Sequence, residues 1–206
     1  MHKVRAQGQV EEQVVDAAKG RDPVPDVIVQ PRPAGQFADA FEQLLNLGGE
    51  LSVTASPLGG AVCHQPPHIG GEVVSHQDST FIYTEPESCT GFWFALEDAT
   101  LENGCMQFIP GGHKLPLKKR NYRVSARKLV TETLDDTPWP ENQRVPVEAQ
   151  AGTMGMFHGR APHLSAANHS SRSRHAYTLH VIDRNSHYPK SNWLQRDNDL
   201  PLRGFD

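Results

Sequence analysis

The sequence predicts a mainly β fold, a sandwich or a jelly-roll barrel, preceded by an N-terminal segment of different texture. Three observations carry this. From about residue 50, short runs rich in Val, Ile, Phe, Tyr and Thr recur at close spacing. Turn-forming residues separate them, above all Asn103-Gly104 and Pro110-Gly111-Gly112. The chain has 206 residues with 16 Pro and 17 Gly, a composition that favours short strands and many turns over long helices.

Residues 1–60 are read as an atypical N-terminal segment with two candidate helices and a Pro-rich linker. Val10, Val14, Ala17 and Ala18 fall at helical spacing, and Gly20 with Pro23 stops the pattern. The stretch DPVPDVIVQPRPAG reads as the linker. Phe37, Ala40, Phe41, Leu44 and Leu45 make a second amphipathic helix, closed by Gly48-Gly49. The β domain is placed at 61–206. Its strand-forming runs are GEVVSH, STFIYT, GFWFALE, CMQFI, RVSARKLV, RVPVE, GTMGMFH and HAYTLHVID. The polar segment TETLDDTPWPENQ, residues 131–143, reads as a surface insertion.

Bulk properties exclude several function classes. A net charge of −4 draws the chain neither to nucleic acid nor to an acidic membrane. No apolar run approaches the ~20 residues that span a bilayer. The opening MHKVRAQGQVEEQ lacks the apolar core of a signal peptide, and the closing RGFD is not a peroxisomal tripeptide. Cys63, Cys89 and Cys105 are odd in number and far apart, which points to a reducing compartment, the cytoplasm, and to inert thiols.

The chemistry begins with His76 and Asp78. Residues two apart on a strand share a face, so an imidazole and a carboxylate point into one space. A third ligand would complete a metal site. The second half offers His158, His163, His169, His175 and His180, with Arg172 and Arg174 nearby. Two histidines and one carboxylate on one face of a metal leave three coordination positions open, the arrangement of non-haem Fe(II) oxygenases. In those that use 2-oxoglutarate, the far carboxylate of the keto acid needs a cation. Arginine suits it, because its planar fork meets a carboxylate bidentately and keeps its proton.

Three ordered blocks make the reading specific. HQDSTFIYTEP comes first, then GFWFALEDATLENGCMQFIPGGH, then HxSxxN with an arginine eleven residues after its histidine. Over roughly residues 64–202 the chain resembles the phytanoyl-CoA dioxygenase family. The resemblance implies that His76, Asp78 and His163 ligate iron and that Arg174 pairs with the distal carboxylate of 2-oxoglutarate. It implies that Trp93 lines the co-substrate pocket and that Gln77 touches the co-substrate. The implied fold is a double-stranded β-helix of the jelly-roll, cupin-like type. The implied cofactor is Fe(II), with 2-oxoglutarate as co-substrate and ascorbate as a supporting reductant. The implied reaction hydroxylates a small organic substrate and yields succinate and CO2. A carboxylate at position 78, rather than the small residue of related halogenases, favours hydroxylation.

The remaining histidines carry plainer readings. His158 has a structural role, His169 and His175 lie exposed or strand-facing, and His113 holds a loop. His180 stands at even spacing from Arg174, which aims it into the barrel, although a packed core histidine is the default. Residues 1–60 do not resemble the family, and Ala61 falls where a larger pocket residue is expected. The barrel is therefore expected to be incomplete on its N-terminal side. Two rival functions stay open. One is a truncated family member, weakly active or inactive, that still binds metal or 2-oxoglutarate. The other is a cupin-like zinc or manganese enzyme without a keto acid.

Overall fold

The computed structural model describes residues 13–14, 27–30 and 55–195 of the chain. It is mainly β and antiparallel. The strands are β1 (Gln13–Val14), β2 (Val27–Gln30), β3 (Ala55–Gln65), β4 (Val73–His76), β5 (Thr90–Ala95) and β6 (Met106–Phe108). They continue with β7 (Lys119–Ser125), β8 (Lys128–Thr133), β9 (Val145–Val147), β10 (Met154–His158), β11 (His163–Ser165) and β12 (Arg174–Asp183). Short 3-10 turns occupy Asp78–Thr80, Gly112–Lys114 and Glu141–Gln143. Among the described residues there is no α-helix, and no helix is long and apolar enough to cross a membrane.

Two sheets build the domain. The larger runs in the order β1-β2-β10-β5-β12-β3, and the smaller in the order β4-β11-β6-β9. A separate hairpin joins β7 to β8. The central strand β5, TGFWFA, is apolar on both faces, which suits a strand flanked by β10 and β12. Trp93 and Ala95 on one face meet Phe157 of β10, Ala176 of β12 and Phe108 of the smaller sheet in one buried cluster. The two sheets therefore share a core, and each large apolar side chain buried there contributes about 1.5–3 kcal/mol. Phe92 faces the other way and packs with Met154 and Val181.

Several expectations are corrected. Of the helix read over residues 10–18 only Gln13–Val14 is described, and it is a strand paired to β2. β2 itself lies inside the stretch read as a linker. Its Val-Ile-Val sequence has β propensity, and the edge of β10 gives its backbone groups a ladder to complete, so tertiary pairing overrides the local proline signal. The helix read over 37–45 falls outside the described residues. STFIYT is not a strand. It opens on the 3-10 turn at Asp78–Thr80, where Ser79 donates its N–H to the Gly159 carbonyl at 2.9 Å. RVSARKLV is the hairpin of β7 and β8 rather than one strand. Conversely, ASPLGGAVCHQ forms the edge strand β3 despite its proline and glycines. Pro57 sits where the register with β12 shifts, one of the few strand positions proline accepts.

Candidate metal centre

β4 ends on His76 and β11 begins on His163. The two residues are direct partners in the β4–β11 ladder, so backbone register sets one imidazole beside the other. Asp78 lies two residues beyond His76, at the start of the 3-10 turn, and its carboxylate comes near both rings. Asp78 Oδ1 is 3.6 Å from His76 Nε2 and 3.7 Å from His163 Nε2. One ligand atom from each of the three residues lies within 4.8 Å of the others. A strand pair and a turn thus assemble the three side chains.

The tautomers suit a metal. His76 Nδ1 lies 2.8 Å from the Val74 carbonyl and His163 Nδ1 lies 3.0 Å from the Ala161 carbonyl. A carbonyl only accepts, so each Nδ1 donates, and in the neutral ring Nε2 is then the nitrogen with the lone pair for a metal. Such backbone anchors fix the rotation of ligating imidazoles. Burial pushes the His163 pKa down to about 4, against the opposing pull of Asp78, so the ring is neutral near pH 7. Burial also acts to lower His76, but the hydrogen bond and charge of Asp78 outweigh it and raise the group. Asp78 itself loses solvation, which acts to raise it. The surrounding imidazoles of His163, His180 and His76 prevail and set it well below the usual carboxylate range. Two imidazole nitrogens and one anionic oxygen form a set that suits a divalent first-row ion and lacks the thiolates of closed structural zinc sites.

A cavity of about 290 Å³ opens beside the triad. It is lined by His76, Asp78, His163, Trp93, Ser165, Arg174, Thr178 and His180 together with apolar Val73, Met106, Phe157 and Leu164. Arg174 begins β12 and is 2% exposed. Its Nη2 donates to Ser165 Oγ at 2.6 Å, and that hydroxyl donates to the Gly104 carbonyl at 2.6 Å. Among the described residues, Arg174 Nε is buried without a hydrogen-bond partner, and no carboxylate stands among the charges that act on the guanidinium. Burying an unpaired cation is costly, so the cavity holds an unmet demand for an anion. Trp93, 4% exposed on β5, turns its ring into the same space, and its indole N–H is likewise buried without a partner.

Of the six residues singled out in the sequence, five line this cavity: His76, Asp78, His163, Trp93 and Arg174. Gln77 does not. Its amide nitrogen donates to the carbonyls of Pro116 at 3.2 Å and Arg160 at 2.9 Å, and its carbonyl accepts the Lys118 N–H at 2.9 Å. Alternation along the chain turns Gln77 away from its two neighbours, and its amide ties two loops together instead. His158 is occupied elsewhere, accepting the Arg160 N–H at Nδ1. His175 is partly exposed and pairs with Glu97 at 2.8 Å. The residue undervalued in the sequence is His180. It lines the cavity, and its Nε2 lies 3.0 Å from Asp78 Oδ2. Its even spacing from Arg174 along β12 was the available signal.

Comparison with known proteins matches this architecture to a family. The family model for Phytanoyl-CoA dioxygenase (PhyH) matches residues 10–176. The chain belongs to the phytanoyl-CoA dioxygenase family. The match begins at residue 10, inside the N-terminal segment expected not to resemble the family. Phytanoyl-CoA dioxygenase of Arabidopsis thaliana is 47% identical over 131 residues, covering 63% of this chain and 46% of that protein. Phytanoyl-CoA dioxygenase domain-containing protein 1 of Danio rerio is 35% identical over 197 residues, covering 82% of this chain and 68% of that protein. The chain thus spans about half the length of the plant relative. Among solved structures, the epimerase SnoN in complex with Fe3+, alpha ketoglutarate and nogalamycin RO shares the fold at a TM-score of 0.59. It is 17% identical, with 88% of this chain and 91% of that one covered.

Proposed function

We propose that this phytanoyl-CoA dioxygenase family chain is an Fe(II)- and 2-oxoglutarate-dependent dioxygenase that hydroxylates a small organic substrate, releasing succinate and CO2. Its two sheets are read as the double-stranded β-helix of such enzymes, working in a reducing compartment such as the cytoplasm. The observation that carries the proposal is the pairing of the His76/Asp78/His163 cluster with the buried, acid-free Arg174 across one cavity. Metal ligands alone fit many enzymes. A buried guanidinium with an unmet donor beside them calls for a second, anionic small molecule.

The residues have separable tasks. His76 Nε2, His163 Nε2 and Asp78 Oδ1 would hold the metal. Bound Fe(II) supplies the oxidative chemistry, which couples decarboxylation of the keto acid to hydroxylation of a C–H bond. Arg174 would take the distal carboxylate, and Ser165 orients its guanidinium. Trp93, Met106, Phe157 and Leu164 keep the cavity walls apolar, which strengthens the ionic contact and excludes water. Arg174, Ala176, Thr178 and His180 alternate along the inward face of β12, so one strand sets the spacing between anion pocket and metal cluster.

The test is an anaerobic titration with Fe(II) followed by 2-oxoglutarate, watching the visible metal-to-ligand charge-transfer band. A band that appears only with both additions, and is lost in Arg174→Ala and Asp78→Ala, supports the reading. A zinc or manganese enzyme without a keto acid would give no band and would ignore Arg174→Ala. Succinate release measured over a panel of small substrates separates a turning-over enzyme from a member that binds without turnover.

A further inference from the structure

Asp78 uses its two oxygens differently. Oδ1 faces both ligating imidazoles, at 3.6 and 3.7 Å. Oδ2 points the other way, to His180 Nε2 at 3.0 Å. An ionised carboxylate only accepts, so His180 Nε2 carries the proton and donates. His180 lies on β12, in the larger sheet, whereas His76 and His163 belong to the smaller one. The contact therefore crosses the core between the sheets.

The local sequence leaves room for this contact and little else. His180 is the cross-strand partner of Gly91 on β5. A side-chain carbon at position 91 would stand 2.6 Å from the Phe157 ring and 3.0 Å from Asp78 Oδ2. Glycine at 91 lets the carboxylate approach the sheet closely enough to meet His180. Phe157 packs against the same spot.

We propose that His180 is a positioning residue that holds Asp78 in a one-oxygen binding mode, reserving Oδ1 for the metal and keeping Oδ2 out of its coordination sphere. The inference rests on the metal site proposed above. A carboxylate bound through both oxygens would consume one of the three positions that a keto acid and O2 require. Partners of ligating groups outside the coordination sphere commonly change metal affinity by about 10- to 100-fold when removed. His180 never needs to touch the metal to act in this way.

The experiment uses Co(II), which binds without turnover, and follows its visible absorption during titration of wild type, Asp78→Ala, His180→Ala, His180→Met and His180→Gln. Wild type should bind one Co(II), and Asp78→Ala should abolish that binding. His180→Ala and the volume-filling His180→Met should weaken it by about 10- to 100-fold and change the band shape as coordination changes. His180→Gln, whose amide can still donate, should recover most of the affinity and the wild-type band. Circular dichroism identifies any variant that fails to fold, and the comparison of His180→Met with His180→Gln then decides. Affinity within twofold of wild type and an unchanged band in a folded His180→Met protein would overturn the positioning role. Wild-type binding that Asp78→Ala leaves intact would overturn the metal site itself, and His180's role with it.

Discussion

His76 and His163 face each other directly across the β4–β11 ladder, with ring centroids 4.3 Å apart. Their separation of 87 positions in sequence is erased by one backbone register. Register is strongly specified wherever a face is buried, so the hydrophobic pattern of the sheet also fixes the spacing of the two imidazoles. His163→Ala should therefore remove a ligand without dismantling the ladder. Isothermal titration with Co(II) should show a loss of more than ~100-fold, since a first ligand costs more than the outer partners whose loss costs 10- to 100-fold. Far-ultraviolet circular dichroism should remain that of wild type.

On the proposed reading, Arg174 separates keto acid binding from metal binding. Arg174→Ala should weaken 2-oxoglutarate by about 2–5 kcal/mol, the range for truncating one partner of a buried charge pair. Co(II) affinity should stay within a few-fold, because no metal ligand is touched. Arg174→Met should tell more. It fills similar volume and deletes a buried cation that lacks an acidic partner, so the ligand-free protein should be as stable as wild type or more so. Thermal melts with and without 2-oxoglutarate check both parts: only wild type should gain stability from the ligand.

How much of this was legible in the sequence differs by kind of signal. His76 and Asp78 could be paired in advance because spacing along one strand is local. His163 could not be chosen from five candidate histidines by spacing alone, since its position depends on a strand of only three residues with no period to read. The ordered blocks of the family resemblance singled it out. β3 was missed because its Gly-Pro text contradicts strand propensity, and only its place at the sheet edge and its register shift explain it. β2 was missed for the opposite reason: its prolines flank a short run whose pairing with β10 is long-range. His180 was visible as an even-spaced position, but its partner lies 102 residues away, where sequence pattern has no reach.

Acid should destabilise the metal-free protein over a window set by His163. Burial holds its folded pKa at about 4, below the ordinary value of 6.5. Between those values the unfolded chain takes up a proton that the native ring refuses, so stability falls as pH falls from about 6.5 towards 4. One such group contributes on the order of 2 kcal/mol of that loss between about pH 6.5 and 5. His76 has the opposite sign: its raised pKa gives stability that is present in acid and lost as pH rises through the folded value. Asp78, held low, contributes stability that is present above the ordinary carboxylate range and is lost only as pH drops below it. Urea melts of chelator-treated protein from pH 7 to 4.5 should show the decline, and His163→Asn should flatten it.

Gln77 offers a prediction that divides structure from chemistry within three consecutive residues. It is 1% exposed, and its amide bonds the backbone at Pro116, Lys118 and Arg160. Gln77→Ala would leave the partly buried Pro116 and Arg160 carbonyls and the buried Lys118 N–H without their partner, and a fully buried orphan costs about 1–3 kcal/mol. Water can reach some of the opened space, so a total near 2–4 kcal/mol is expected, read as a fall in the urea midpoint with unchanged slope. The folded fraction of Gln77→Ala should still bind 2-oxoglutarate like wild type, because the side chain does not line the cavity. Weakened 2-oxoglutarate binding in a variant of normal stability would show that Gln77 reaches the co-substrate after all, and that the loops it ties can turn it inward.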